Sequence, residues 1–106
     1  MNVVELSAIA RFSPEKMQKV SILDTPRMFF DLYCLEPGQA QKPHRHDGSD
    51  KVYVVVEGRV RFTVDGEERD VEAGHAVVCP AGSDHGVTNP GPGRARLLVA
   101  MAPRPG

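Results

Sequence analysis

The sequence predicts an all-β domain, a sandwich or barrel of short strands, and three observations carry that prediction. Ten glycines and nine prolines cut 106 residues into brief segments, so no window sustains a helical period for long. Val60, Phe62 and Val64 alternate with Arg59, Arg61 and Thr63, the period of a strand with one wet and one buried face. Asp65-Gly66, set between that run and the polar return Glu67 to Glu72, is a strong hairpin signal, because both central positions of a type I′ turn need positive φ.

The elements follow in order. Ser13-Pro14-Glu15-Lys16 has the cap and first-position residues of a helix start and predicts one helical turn. Val20-Ser21-Ile22-Leu23 reads as a strand, Asp24-Thr25-Pro26 as a break, and Met28 to Leu35 as its hairpin partner. Gly38 to Lys42 leads into His44 and His46, and the β-branched run Val52 to Val56 stops at Gly58. After the Asp65-Gly66 hairpin, Ala73-Gly74 turns into a strand from His75 to Cys79 that Pro80 ends. A turn over Ala81 to Asp84 delivers His85, with Val87 and Asn89 on its side of the chain. Pro90-Gly91-Pro92-Gly93 breaks the chain again before Arg96 to Met101 closes the sheet. One domain is expected: residues 1–37 as strands leading into a barrel, 38–101 as its core, and 102–106 as a loose tail.

Composition excludes several functions. With 13 basic and 14 acidic side chains the net charge is -1, which leaves no excess to grip phosphates or an anionic surface. With no Trp and two Tyr there are also few stacking platforms, so nucleic acid is not an expected partner. No run approaches the ~20 apolar residues of a membrane helix, and no secretory signal is visible at Met1 to Leu6, so a cytoplasmic protein with no membrane partner is expected. Cys34 and Cys79 form no CxxC or zinc-finger spacing and read as buried reduced thiols.

The chemistry concentrates in two clusters. His44 and His46 stand at i and i+2, where imidazoles on an extended chain share a face and can converge on one metal ion. His85 supplies a third imidazole. Three neutral imidazoles with open positions suit zinc, iron, nickel, copper or manganese. His75, directly after a turn glycine, reads as solvent-facing, and Arg45 as pointing away from its two neighbours. Tyr53, Phe30, Phe62 and Met101 are candidates for a pocket wall or for plain core.

Together these clusters resemble the paired motifs of the cupin superfamily. Gly38, His44, His46 and Gly58 hold the places of the first motif; Gly74, Pro80, Gly82, His85 and Asn89 match the second throughout. The resemblance implies a double-stranded β-helix, the jelly-roll barrel, with a divalent metal near one end and a small-molecule ligand. It also implies a homodimer, since many small members pair N-terminal strands across an interface.

One position departs from the pattern. Where the family most often has a metal-binding glutamate, this chain has Lys51, whose ammonium would repel a dication. Three readings stay open. Asp50 replaces the glutamate, at the cost of a one-residue register change. Alternatively, the three histidines hold the metal alone and Lys51 meets an anionic substrate or accepts a proton, with Tyr53 beside it. In the last, the site is metal-free and the protein binds or senses a small molecule without catalysis. Oxygen-dependent cleavage at a three-histidine site, and Lewis-acid isomerisation or hydrolysis, are the chemistries the second reading implies.

Overall fold

The computed structural model describes residues 1–105, which form two facing antiparallel sheets closed into a jelly-roll barrel. After a short α1 (Leu6–Ile9) come β1 (Gln18–Asp24), β2 (Phe29–Leu35), β3 (Ala40–Arg45), β4 (Asp50–Glu57), β5 (Arg59–Val64), β6 (Glu67–Glu72), β7 (Ala76–Cys79), β8 (Asp84–Thr88) and β9 (Ala95–Ala102). One sheet has the order β1-β2-β9-β4-β7 and the other β3-β8-β5-β6. The chain therefore passes repeatedly between the two sheets, as a double-stranded β-helix requires.

The core forms where inward positions of the two sheets meet. Tyr33, Leu35, Tyr53, Val55, Cys79, Ala95, Leu97 and Val99 face in from the five-stranded sheet, against Val60, Phe62 and Val87. Each is almost fully buried, and burial of the larger side chains contributes roughly 1.5–3 kcal/mol apiece. The alternation read from Val60 and Phe62 holds. The Asp65-Gly66 turn has φ of 49° and 84°, so the expected hairpin joins β5 to β6 in register Val64↔Glu67. Between β4 and β5 the chain changes sheet through Gly58 alone. At φ 79° it packs so close to Arg94 that an added Cβ would collide with the Arg94 carbonyl oxygen.

One expectation is corrected. The helical turn lies at Leu6–Ile9, not at Ser13-Pro14-Glu15-Lys16. Ser13 Oγ does accept a hydrogen bond from the Glu15 N–H at 3.2 Å. The chain nevertheless bends and enters β1 at Gln18, where pairing with Cys34 outweighs the costly nucleation of so short a helix. At the C-terminal end several contacts reach beyond the last strand. Ala102 ends β9, Ser49 Oγ donates to the Pro103 carbonyl at 2.6 Å, and Arg104 pairs with Asp24. Gly106, the last residue of the expected loose tail, lies outside the described residues.

The pairing that matters most for function is β3 with β8. Gln41 opposes Val87, but after an irregularity in β3 His44 opposes His85. One extra residue thus sits on β3 beside Pro43, which has no N–H to give to the ladder. Without it, His44 would lie opposite Asp84. Gly86 makes this approach possible, since a Cβ there would meet Pro43 N at 2.7 Å and the Gln41 carbonyl oxygen at 2.9 Å. Gly86→Ala is therefore expected to lower the stability of the protein by about 1–3 kcal/mol, as overpacking does, in urea titration. Wild-type stability in that variant would show that the close approach is not a constraint.

Candidate metal centre

The extra residue in β3 turns Gln41 and His44 to the same interior side, and β8 presents His85 to them. His46 follows β3 directly, and its carbonyl oxygen accepts the Gly82 N–H at 3.0 Å, tying it to the turn before β8. The ring centroids of His44 and His85 lie 4.5 Å apart, those of His44 and His46 5.0 Å, and those of His46 and His85 6.0 Å. One potential ligand atom from each of the three falls within 4.8 Å of the others. A single small cation fits such a triangle.

Hydrogen bonds set the tautomers of two rings. His44 Nδ1 lies 3.0 Å from the Lys42 carbonyl oxygen and His85 Nδ1 lies 3.1 Å from that of Ser83. A carbonyl only accepts, so Nδ1 carries the proton in both and Nε2 carries the lone pair. Backbone carbonyls commonly orient metal-binding imidazoles this way. His85 Nε2 is buried without a hydrogen-bond partner, the expected state of an atom reserved for a ligand.

Lys51 stands where the departure from the motif placed it. Its side chain is 1 % exposed, with Nζ 3.5 Å from His44 Nε2, 5.0 Å from the Tyr53 ring centroid and 5.7 Å from that of Tyr33. The register of β4 fixes this, because Lys51 opposes Cys79 on one side and Met101 on the other. Asp50, the fourth candidate ligand, stands apart from the three histidines. It lies on the other face of β4, exposed, and its carboxylate accepts the Ala81 N–H at 2.9 Å. The one-residue register change it needs would turn Tyr53 and Val55 out of the core.

Burial pushes the Lys51 ammonium down to about 8, helped by the positive charge of Lys19 and opposed by Cys79 and Asp31. Burial, then Lys51 and His44, push His85 down to about 4. His44 is lowered chiefly by burial. Burial also raises the Tyr53 hydroxyl far above its usual range, so it remains a neutral donor. That hydroxyl and Gln41 Oε1 are two further buried polar atoms without partners.

The remaining candidates are core or surface. Phe62 and Met101 are buried core, and Phe30, paired with Ala100, faces the outside of its sheet. His75 is exposed, and Arg45 is exposed and pairs with Asp84 at 3.5 Å. A cavity of about 680 Å³ opens between the β6 and β7 edges over Phe62, Val64, Val71 and Val77. Phe62 in its lining is in edge contact with Tyr53 at 5.2 Å, and the Tyr53 ring centroid lies 6.2 Å from that of His85. Gln41, Tyr33, Lys19 and Asp31 were not singled out in the sequence. They reach the site from strands distant in the chain, with no local spacing to reveal them.

Comparison with known proteins gives three findings. The family model described as Cupin domain matches residues 31–101. The protein named polyketide synthase CurC of Streptomyces cyaneus is 32% identical over 75 residues, which cover 71% of this chain and 49% of that one, so this chain spans about half the length of that relative. The crystal structure of TT1209 from Thermus thermophilus is 50% identical, with a TM-score of 0.95 over 99% of this chain and 100% of that one.

Both buried bases have lowered values, so in each case the folded state binds fewer protons than the unfolded chain. Stability of the metal-free protein should therefore fall as pH drops from 6.5 through about 4, as His85 is forced to protonate. It should rise again between about 8 and 10.5, as Lys51 loses its proton. Urea midpoints across this range check both limbs. Lys51→Met should flatten the alkaline one, and an unchanged alkaline rise in that variant would contradict the assignment.

Proposed function

The chain belongs to the Cupin domain family, and on that premise we propose that it is a metal-binding cupin acting on a small polar or anionic molecule. His44, His46 and His85 hold one divalent ion, and Lys51 and Tyr53 stand beside it to meet the ligand. The observation that carries this reading is the triangle of imidazole ligand atoms within 4.8 Å, with two of the rings having Nδ1 tied to a carbonyl and Nε2 unprotonated. Iron, zinc, manganese, nickel or copper suits three imidazoles, and a bound ion would supply Lewis acidity or, as iron, a site for dioxygen. We favour a dioxygenase-like, three-histidine activity. The chain's own residues contribute orientation and charge. Ser83 and Lys42 carbonyls aim two rings, the Tyr53 hydroxyl donates, and Lys51 attracts an anion and, once deprotonated, accepts a proton. The likeness to a polyketide synthase protein supports a small organic molecule as the ligand.

A second reading, a metal-free module that binds or senses a small molecule without catalysis, is favoured by Lys51 Nζ itself. At 3.5 Å from His44 Nε2 its ammonium competes with a metal for that lone pair.

The protein is further proposed to work in the cytoplasm as a homodimer. Cys34 and Cys79 are free buried thiols, as a reducing compartment would keep them. No helix is long and apolar enough to cross a membrane. Two uncharged rows cross the outer side of the five-stranded sheet, Leu23-Phe30-Ala100-Val52-Val78 and Val20-Leu32-Leu98-Val54-Ala76; Leu32 is already covered within the chain, while Val78 is 63% exposed. Such a face can meet its own copy across a two-fold axis. Sedimentation should give a dimer in wild type and a monomer in Val78→Lys; a monomeric wild type would contradict it.

Metal analysis of protein purified without chelator should find about one equivalent, and His85→Ala should lose most of it. Lys51→Glu, which exchanges a repelling cation for a ligand, should raise metal affinity by about tenfold or more. Negligible metal in wild type, together with His85→Ala indistinguishable from it, would favour the metal-free reading.

A further inference from the structure

Lys51 is a buried cation with no carboxylate in salt-bridge reach among the described residues, Asp31 acting on it only from a longer distance. It takes part in no salt bridge among the described residues. Its one hydrogen-bond contact there, His44 Nε2 at 3.5 Å, is long and uses one of three N–H donors. The Tyr33 and Tyr53 rings offset part of the cost of burying it. Tyr53, the next inward residue of β4, has a buried hydroxyl that donates to nothing, and His85 Nε2 is likewise unpartnered. Native interiors leave few such groups, so a lysine with no ion pair and two unpartnered polar atoms on neighbouring side chains call for a ligand. A metal ion at the histidines would take His85 Nε2, but it repels Lys51 and offers the Tyr53 hydroxyl no acceptor.

We propose that Lys51 and the Tyr53 hydroxyl form a carboxylate-binding subsite beside the three histidines, so that the ligand of this protein is a small monocarboxylate. The inference rests on the metal-centre reading above. A carboxylate carries one charge and two acceptor oxygens, which match one ammonium and one hydroxyl. A phosphate matches less well, because its second charge would meet no arginine and no long helix terminus among the interior groups described. Lys51 is thus a specificity-determining residue that replaces a metal ligand by a ligand-binding cation.

The test is a chemical-shift titration of the zinc-loaded protein at pH 7 with acetate, acetamide and inorganic phosphate. Wild type, Lys51→Met and Lys51→Gln are compared, and zinc content is measured on each sample. Acetate should bind wild type in preference to acetamide and phosphate. Both variants should keep wild-type zinc and lose at least about tenfold in acetate affinity. Equal acetate affinity in zinc-replete variants, a preference for phosphate, or no acetate binding to zinc-replete wild type would overturn the carboxylate subsite and leave the metal centre standing. Loss of zinc from both variants would also overturn it, since Lys51 would then support the metal site. Failure of wild type to take up zinc would overturn both readings.

Discussion

The site depends on the offset pairing of β3 with β8. One extra residue in β3, accommodated at Pro43 and permitted by the bare backbone of Gly86, brings His44 level with His85. Because side chains alternate along a strand, that single residue also decides which residues look inward. Gln41 and His44 both face the interior only because the bulge breaks parity between them. His46 is then close enough for its carbonyl to be tied to the turn before His85. The three imidazoles are thus held by backbone geometry, and two are aimed by their own neighbours' carbonyl oxygens.

The second constraint is the register of β4, bonded to β9 on one side and β7 on the other. Tyr53 and Val55 belong to the core, so Lys51, two residues earlier, must face inward too. A cation is held where burial disfavours its charge, between two tyrosine rings and beside an imidazole. Such placement costs stability and is met at functional sites, where perturbed groups cluster. A cation held by the histidines would therefore oppose the lysine electrostatically, and an anionic ligand is the species that would relieve the conflict.

Much of this was legible in the sequence because it is local. The Asp65-Gly66 hairpin, the alternation through Val60 and Phe62, and the strand stop at Pro80 each announce themselves within a few residues. The choice between Asp50 and Lys51 was not legible, since Val52, Val54 and Val56 are as apolar as Tyr53 and Val55, and both faces of β4 turn out to need apolar residues. One faces the core and the other the outer rows of the sheet. Gln41 and Tyr33 were missed because only the closing of the barrel brings β3 and β2 to the histidines. The helical turn was misplaced because Ser13 and Pro14 do form a local capping bend, and strand pairing from Gln18 then overrides its continuation.

The central question for this site is whether one metal ion sits between these three imidazoles beside an inward lysine. Anomalous diffraction at the zinc edge from crystals grown with zinc tests this most directly. A single peak is predicted within bonding reach, about 2.0–2.1 Å, of ring nitrogens of His44, His46 and His85, with Asp50 outside the coordination sphere. A peak bound by Asp50, or no peak at the histidines, would contradict it.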